Sequence, residues 1–334
     1  MTALLPVLAV IIVCIWTEVA GVAGPRVVVA HGAMNARVAP LWAARDRGFF
    51  AKYGVTADTI VVRGSAILLA AMATNEIDVG YTGGTAVIGA VAGGADLKVL
   101  SAFTNRVNYD LMVRPGIKTA EDLRGKRFGI QTIGGTLWMG AILALEHLGL
   151  DADRDKITIL AVGDQNIMAQ ALEAGTIDAT VLDGVQSRRL MALGFPRLVD
   201  LNKYNLPILS SGFVMREANI QKNPQLAENL LKAIIEGAAF SLSPVQKPNT
   251  LKILQKYLKV SERDAEEGYW DLVNGTDKKP YAAPAGVANA VRLMKRGNPR
   301  VEKVRAEQLI DDRILRKIDQ SGFIDEVMAK YGVK

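Results

Sequence analysis

The residues best suited to chemistry lie in short loops where glycine adjoins a hydroxyl or an amide. They are Gly64-Ser65, Thr82-Gly83 with Thr85, Gln131-Thr132 and Gly135-Thr136, preceded by Asn35 in an earlier loop. Each falls between an apolar or β-branched run and a helical stretch. At such a place the first N–H groups of the helix lack partners, glycine lets a ligand approach the backbone, and a hydroxyl adds a donor. This neutral set suits a weakly basic oxyanion such as a sulfonate, held without a salt bridge. Gly64-Ser65 and Gly135-Thr136 are the foremost candidates, and both also read as plain helix caps. Asn35 reads equally as a turn residue. Asp183 is the awkward member: an acid at a cleft repels an anion but would hold an amine. Asp164 raises the same question, and either also reads as a cap.

Catalytic machinery is not visible. There is no Gly-x-Ser-x-Gly, Ser-x-x-Lys or phosphate-loop pattern, so no nucleophile stands beside a base. Two histidines, His31 and His147, and one cysteine, Cys14, leave little for a metal. The expectation is a non-enzyme with no cofactor and no metal. Forty Lys and Arg against 34 Asp and Glu give a net charge of +6, spread along the chain rather than gathered in a stripe. Nucleic acid is therefore not an expected partner.

The elements that must position these loops alternate. Residues 26–30 and 59–62 read as strands, each followed by a loop and a helix, and residues 77–81 as a third strand with its loop; residues 127–131, 157–162 and 177–182 repeat the order. Aligned without gaps, residues 66–84 and 166–184 match at Ile67/Ile167, Ala71/Ala171, Ile77/Ile177, Asp78/Asp178 and Gly84/Gly184. Two similar lobes are expected. Residues 208–215 read as a returning strand, and helices are expected at 226–239, 245–258, 262–272, 287–295 and 314–331, with prolines between them. Trp42 and Trp138 lie on helical stretches and read as core.

The first segment is apolar from Leu4 to Trp16 and ends in small residues, Ala20 to Gly24. That pattern predicts a secretory signal peptide over residues 1–24, whose removal would take Cys14 with it. No Lys or Arg precedes Leu4, which leaves an uncleaved anchor as the alternative.

Five stretches carry a family resemblance. Gly64-Ser65-Ala66, Asn75-Glu76-Ile77-Asp78-Val79-Gly80, the run from Asp122 to Gly129, Gly134-Gly135-Thr136 and the run from Leu172 to Ala179 occur in that order. The chain resembles the solute-binding proteins of nitrate, sulfonate and taurine importers, the SsuA-like or NMT1-like family, over roughly residues 26–240. The resemblance implies an α/β, two-lobed periplasmic-binding-protein fold of type II with a hinged cleft. It also implies a periplasmic location, a small-molecule ligand and an ABC permease as partner; a monomer is expected. Lobe one would comprise residues 26–113 and 214–334, lobe two residues 114–213, with hinges near 113–116 and 210–214. Ligands lie at the carboxyl ends of strands in such sheets, which points to Asn35, Gly64, Ser65, Thr82, Gly83, Thr85, Gln131, Thr132, Gly135, Thr136 and Asp183. The expected ligand is a sulfonate-like organic anion. The alternatives are a pyrimidine or aromatic acid, or the enzymatic branch that builds the thiamin pyrimidine, whose cysteine-rich loop this chain lacks.

Overall fold

The computed structural model describes residues 24–62, 64–295 and 297–334. Cys14 and the apolar run of the expected signal peptide lie outside them. Strand β1 (Arg26–His31) opens the first sheet, and its Val27-Val28-Val29 run forms a strand because β-branched side chains fit a pleated, covered surface. With β2 (Thr56–Val61), β3 (Val79–Gly83), β4 (Leu97–Ala102) and β10 (Ser211–Arg216) it forms a five-stranded sheet in the order β2-β1-β3-β10-β4. The second sheet holds β5 (Asp110–Val113), β6 (Arg127–Ile130), β7 (Thr158–Ala161), β8 (Ala179–Leu182) and β9 (Arg197–Asp200), ordered β7-β6-β8-β5-β9. In both, the fourth strand is antiparallel to its neighbours, and it is the strand adjoining a chain crossing between the sheets.

The sheets correct the expected boundaries. Asp110–Val113 pairs with β8 and β9 and so belongs to the second lobe, whereas Ser211–Arg216 pairs with β3 and β4 in the first. The crossings are residues 103–109 and 201–210, which run side by side. Val107 N–H donates to Leu206 O at 2.8 Å, Ile208 N–H to Asn105 O at 3.1 Å, and Ser210 N–H to Thr104 O at 3.0 Å. Val113–Gly116 lies beyond this ribbon, at the end of a second-sheet strand. Strands β4, β5 and β9 were not foreseen as strands, and β5 and β9 are only four residues long.

The repeat has a physical basis. Asp78 accepts from Val28 N–H at the start of β1 (2.8 Å), and Asp178 accepts from Arg127 N–H at the start of β6 (3.0 Å). Each pins the edge of its central strand. Arg127 adds two side-chain bonds to Asp178, and these hold the Asp178 carboxyl at about 2, below the usual carboxylate range, against a burial effect of opposite sign. Ile77 and Ile177 are both buried beneath the sheets, while Ile67 and Ile167 are both exposed.

The C-terminal helices cover the first sheet. Pro224–Leu242 packs on Ala39–Asp46 so closely that a Cβ on Gly237 would lie 2.2 Å from Pro40 O. Trp42 is core, as expected: it stacks on Tyr257 (4.6 Å between centroids) and donates from Nε1 to His31 Nε2. His31 donates from Nδ1 to Ala33 O, so this lone histidine braces the first loop; burial lowers its pKa and keeps it neutral. The expected single helix over 314–331 is two, Arg313–Gln320 and Phe323–Lys330, because Gly322 adopts φ +82° between them.

Candidate functional site

Six helix starts, three from each sheet, converge where the carboxyl ends of the strands face one another. Between the lobes they enclose a cavity of about 90 Å³. Ser65, Thr82 and Gly83 line it from the first lobe, and Gln131, Thr132, Gly135 and Thr136 from the second. Ser210 and Ser211, at the return crossing, close its floor. The lobes touch directly here: Thr85 Oγ1 and Thr136 Oγ1 are 3.4 Å apart, and a Cβ on Gly83 would lie 2.2 Å from Thr136 Oγ1. Only glycine at position 83 admits this approach. Thr82 Oγ1 donates to Ser65 Oγ at 3.0 Å, which leaves the Ser65 hydroxyl hydrogen to point elsewhere.

The central group is Arg37, 4% exposed and part of the cavity wall. Its Nη1 donates to Asn108 Oδ1 at 2.7 Å, and its guanidinium lies 4.8 Å from the centre of the Tyr109 ring. Both partners come from the first crossing ribbon. Tyr81, at the end of β3, donates from its hydroxyl to Arg37 O at 3.0 Å, and burial pushes its pKa up although Arg37 pulls it the other way. Arg37 forms no ion pair among the described residues, so a buried cation stands in the cleft without a carboxylate. Such a group favours an anion, because a buried charge is costly until it is paired.

Two ion-pair groups bridge the lobes on the flanks of the cleft. Arg188, on Gly184–Ala192, reaches Asp271 at 2.9 Å and Glu267 at 2.6 Å on Glu262–Gly275. Arg292 grips Glu146 through two bonds of 2.7 and 2.8 Å. Asp271 is pushed up to about 6 by burial and by the charge of Asp183, against the pull of Arg188 and Arg37. Among the described residues no group of three His, Cys, Asp or Glu is placed to hold a metal ion. No helix among them is long and apolar enough to cross a membrane.

A family model described as NMT1/THI5 like matches residues 35–247, which include every cavity-lining residue named above. The chain belongs to the NMT1/THI5-like family. A Brucella abortus relative, named only as a binding protein, is 27% identical over 236 residues, covering 67% of this chain and 68% of the relative. The nitrate/nitrite binding protein NrtA of Nostoc sp. is 25% identical over 281 residues, covering 73% and 61%. Among solved structures, the periplasmic aliphatic sulphonate binding protein SsuA from Escherichia coli superposes with a TM-score of 0.70 at 20% identity, covering 86% of this chain and 92% of that one. The fold is thus the two-lobed periplasmic-binding-protein fold that the motifs led us to expect, and the two sheets of matching order are its lobes.

The structure gathers eight of the eleven expected residues at the inner cavity: Asn35, Ser65, Thr82, Gly83, Gln131, Thr132, Gly135 and Thr136. Thr85 is fully buried one layer behind, touching Thr136. Gly64 precedes Ser65 with φ +101° and shapes the turn rather than the wall. Asp183 lies in an adjoining compartment of about 200 Å³ that shares Met34, Asn35, Asp164, Gln165 and Asn166 with the first. There it caps Gly184–Ala192, accepting from Gln186 N–H at 3.4 Å, and its own N–H donates to Gln165 Oε1. Asp164 caps Gln165–Glu173 through Asn166 and Ile167 N–H. Trp138 faces a separate groove and lines neither compartment.

Sequence reasoning missed Arg37, Tyr81, Tyr109, Gln165, Asn166, Ser210 and Ser211. The expected neutral lining is therefore corrected by a buried guanidinium. One signal was present: Arg37 follows Asn35 by two residues at the carboxyl end of β1, and Asn35 Oδ1 accepts from the Arg37 N–H (3.2 Å).

Proposed function

We propose that this chain is the solute-capturing component of an ABC importer, working outside the cytoplasm and passing a small organic anion to a membrane permease. The observation that carries the reading is Arg37, a buried guanidinium that forms no ion pair among the described residues, in a cavity bounded by both lobes. Around it stand the hydroxyls of Ser65, Thr82 and Thr136 and the helix starts at Ser65 and Thr136, none of which has a side-chain cap. Each such start offers free N–H donors and a favourable dipole contribution of about 0.3–1 kcal/mol to an anion.

Compartments of about 90 and 200 Å³ suit a small ligand. The relatives named for nitrate and for sulphonate lend weight to an oxyanion, and the size of the joined compartments favours an organic one. Contacts come from both lobes, so bound ligand stabilises the closed state, since a ligand shifts an equilibrium only by binding one state better. No residue of the cleft pairs a nucleophile with a base, which supports carriage rather than catalysis.

The test is a thermal-shift panel of sulfonates, inorganic oxoanions, carboxylates and pyrimidines on wild type and Arg37→Gln. A ligand that binds only the folded chain raises its stability by RT ln(1 + [L]/Kd). A sulfonate or other organic anion is expected to raise the midpoint in wild type, and Arg37→Gln is expected to lose at least about 30-fold in affinity, the loss of a buried charge contact. A pyrimidine response that ignores the Arg37 change would refute the anion reading.

A further inference from the structure

The two clasps between the lobes are built differently. At Arg292–Glu146 each carboxylate oxygen meets its own donor, at 2.7 and 2.8 Å. At the other clasp one guanidinium serves two acids, and a third acid stands beside them. Arg188, on Gly184–Ala192 of the second lobe, reaches Asp271 and Glu267 on Glu262–Gly275, a helix rooted in the first lobe through buried Ala265, Tyr269 and Leu272. Asp183, buried at the start of the Arg188 helix, repels Asp271 across the seam.

The seam leaves these groups little room. A Cβ on Gly184 would lie 2.2 Å from Asp271 Oδ1 and 2.4 Å from its Oδ2, and a Cβ on Gly268 would lie 3.3 Å from both Ala36 and Val185. Glycine on each side lets the two helices close directly over the carboxyl. Asp271 Oδ1 accepts from Arg188 Nη2 at 2.9 Å, but Oδ2 is buried and has no hydrogen-bond partner among the described residues. A buried carboxylate with an unanswered oxygen and an acid for neighbour is costly in its charged form. The cations that face it are Arg188 and, from the first lobe, Arg37, which is already bonded to Asn108. They do not outweigh burial and Asp183, and the Asp271 carboxyl stands at about 6.

We propose that this clasp is a proton-linked latch, in which Asp271 takes up a proton as the lobes close and gives it up as they part. Opening withdraws Asp271 from Gly184, Asp183 and Arg188 and returns it to water, where a carboxyl titrates in its ordinary range. The closed state therefore holds the proton more firmly, and acid favours closure. A carboxyl at about 6 when closed and near its ordinary 3.8 when open raises the closed-to-open ratio about tenfold between pH 8 and pH 5. The latch concerns the movement of the lobes and not which ligand the cleft takes, so it stands or falls apart from the anion reading.

The experiment is small-angle scattering of the full-length chain without ligand from pH 8 to pH 5 at fixed ionic strength, with a thermal melt at each pH to establish that the chain is folded. The radius of gyration of the wild type is expected to fall on acidification. Asp271→Asn, a neutral stand-in for the protonated acid, is expected to be compact throughout and to lose the pH dependence. Asp183→Asn, which keeps a capping side chain, is expected to show a smaller change than wild type, and it carries the comparison should Asp271→Asn fail to fold. A constant radius in the wild type overturns the inference. Expansion in acid also overturns it, because the pull of Arg188 on a charged Asp271 then governs the seam. A pH response that persists undiminished in the variants overturns it as well, since another group is then titrating.

Discussion

In the first lobe the helices Ser65–Ala73 and Gly84–Ala92 begin after Gly64 and Gly83, and no side chain accepts from their first N–H groups. One hundred residues further on, their counterparts Gln165–Glu173 and Gly184–Ala192 begin after Asp164 and Asp183, whose carboxylates do accept. The third pair is inverted. Asn35 caps the short turn Ala36–Val38 in the first lobe, and Gly135 leaves Thr136–His147 open in the second. The backbone plan is repeated while the cap chemistry is exchanged position by position. An uncapped start keeps its donors for a ligand; an Asp cap spends them inside the protein and adds negative charge. The comparison teaches that the repeat supplies the frame while the cap chemistry at the cleft differs from lobe to lobe.

The sharpest way to break this contrast is to give an open start the opposite cap. Gly135 has φ −82°, which any residue tolerates, and its Cβ would meet only the Thr132 hydroxyl and the Thr132 carbonyl oxygen, at 2.8 and 3.2 Å. Gly135→Asp is expected to fold once the Thr132 side chain shifts to admit the new Cβ, and to lose anion affinity by roughly 1000-fold, since like charges facing across a site cost several kcal/mol. Calorimetry with a thermal melt in parallel checks both halves. A variant that binds normally would show that the open start is not used.

A smaller effect is expected from Gly83→Ala. Its methyl would press on Thr136 Oγ1 and hold the lobes apart, lowering affinity about tenfold, and Thr136→Ala in the same chain should restore most of the closure. Small-angle scattering with and without ligand reads the compaction directly. Absence of any rescue would place the lobe contact elsewhere.

The smallest effect belongs to a cap whose partners are the protein's own. Asp164→Ala is expected to cost about 1 kcal/mol of stability without weakening anion binding. A weaker anion response there would contradict the division between open and occupied starts.

Much of this frame was legible in the chain. The alternation of β-branched runs and helices gave the lobes, and the identities at Asp78/Asp178 and Ile77/Ile177 turn out to mark strand-pinning carboxylates and buried floor residues. Glycine-rich loops before helices led to eight wall residues because loop chemistry is local. The rest depended on distant contacts. Leu97–Ala102, Asp110–Val113 and Arg197–Asp200 are strands only because neighbours far along the chain pair with them, so the lobe boundary fell several residues from where periodicity put it. Arg37 carries no motif of its own in the sequence. Its burial is created by Asn108 and Tyr109 from a crossing ribbon and by Tyr81 from β3, and no local pattern announces that.

The central claim is that the cleft closes on an anion held by Arg37. A crystal structure of the chain grown with a bound alkanesulfonate tests it most directly. The sulfonate oxygens should lie within hydrogen-bond distance of the Arg37 guanidinium and the Thr136 hydroxyl, with both lobes in contact. A sulfonate seated away from Arg37, or held by one lobe alone, would contradict the account.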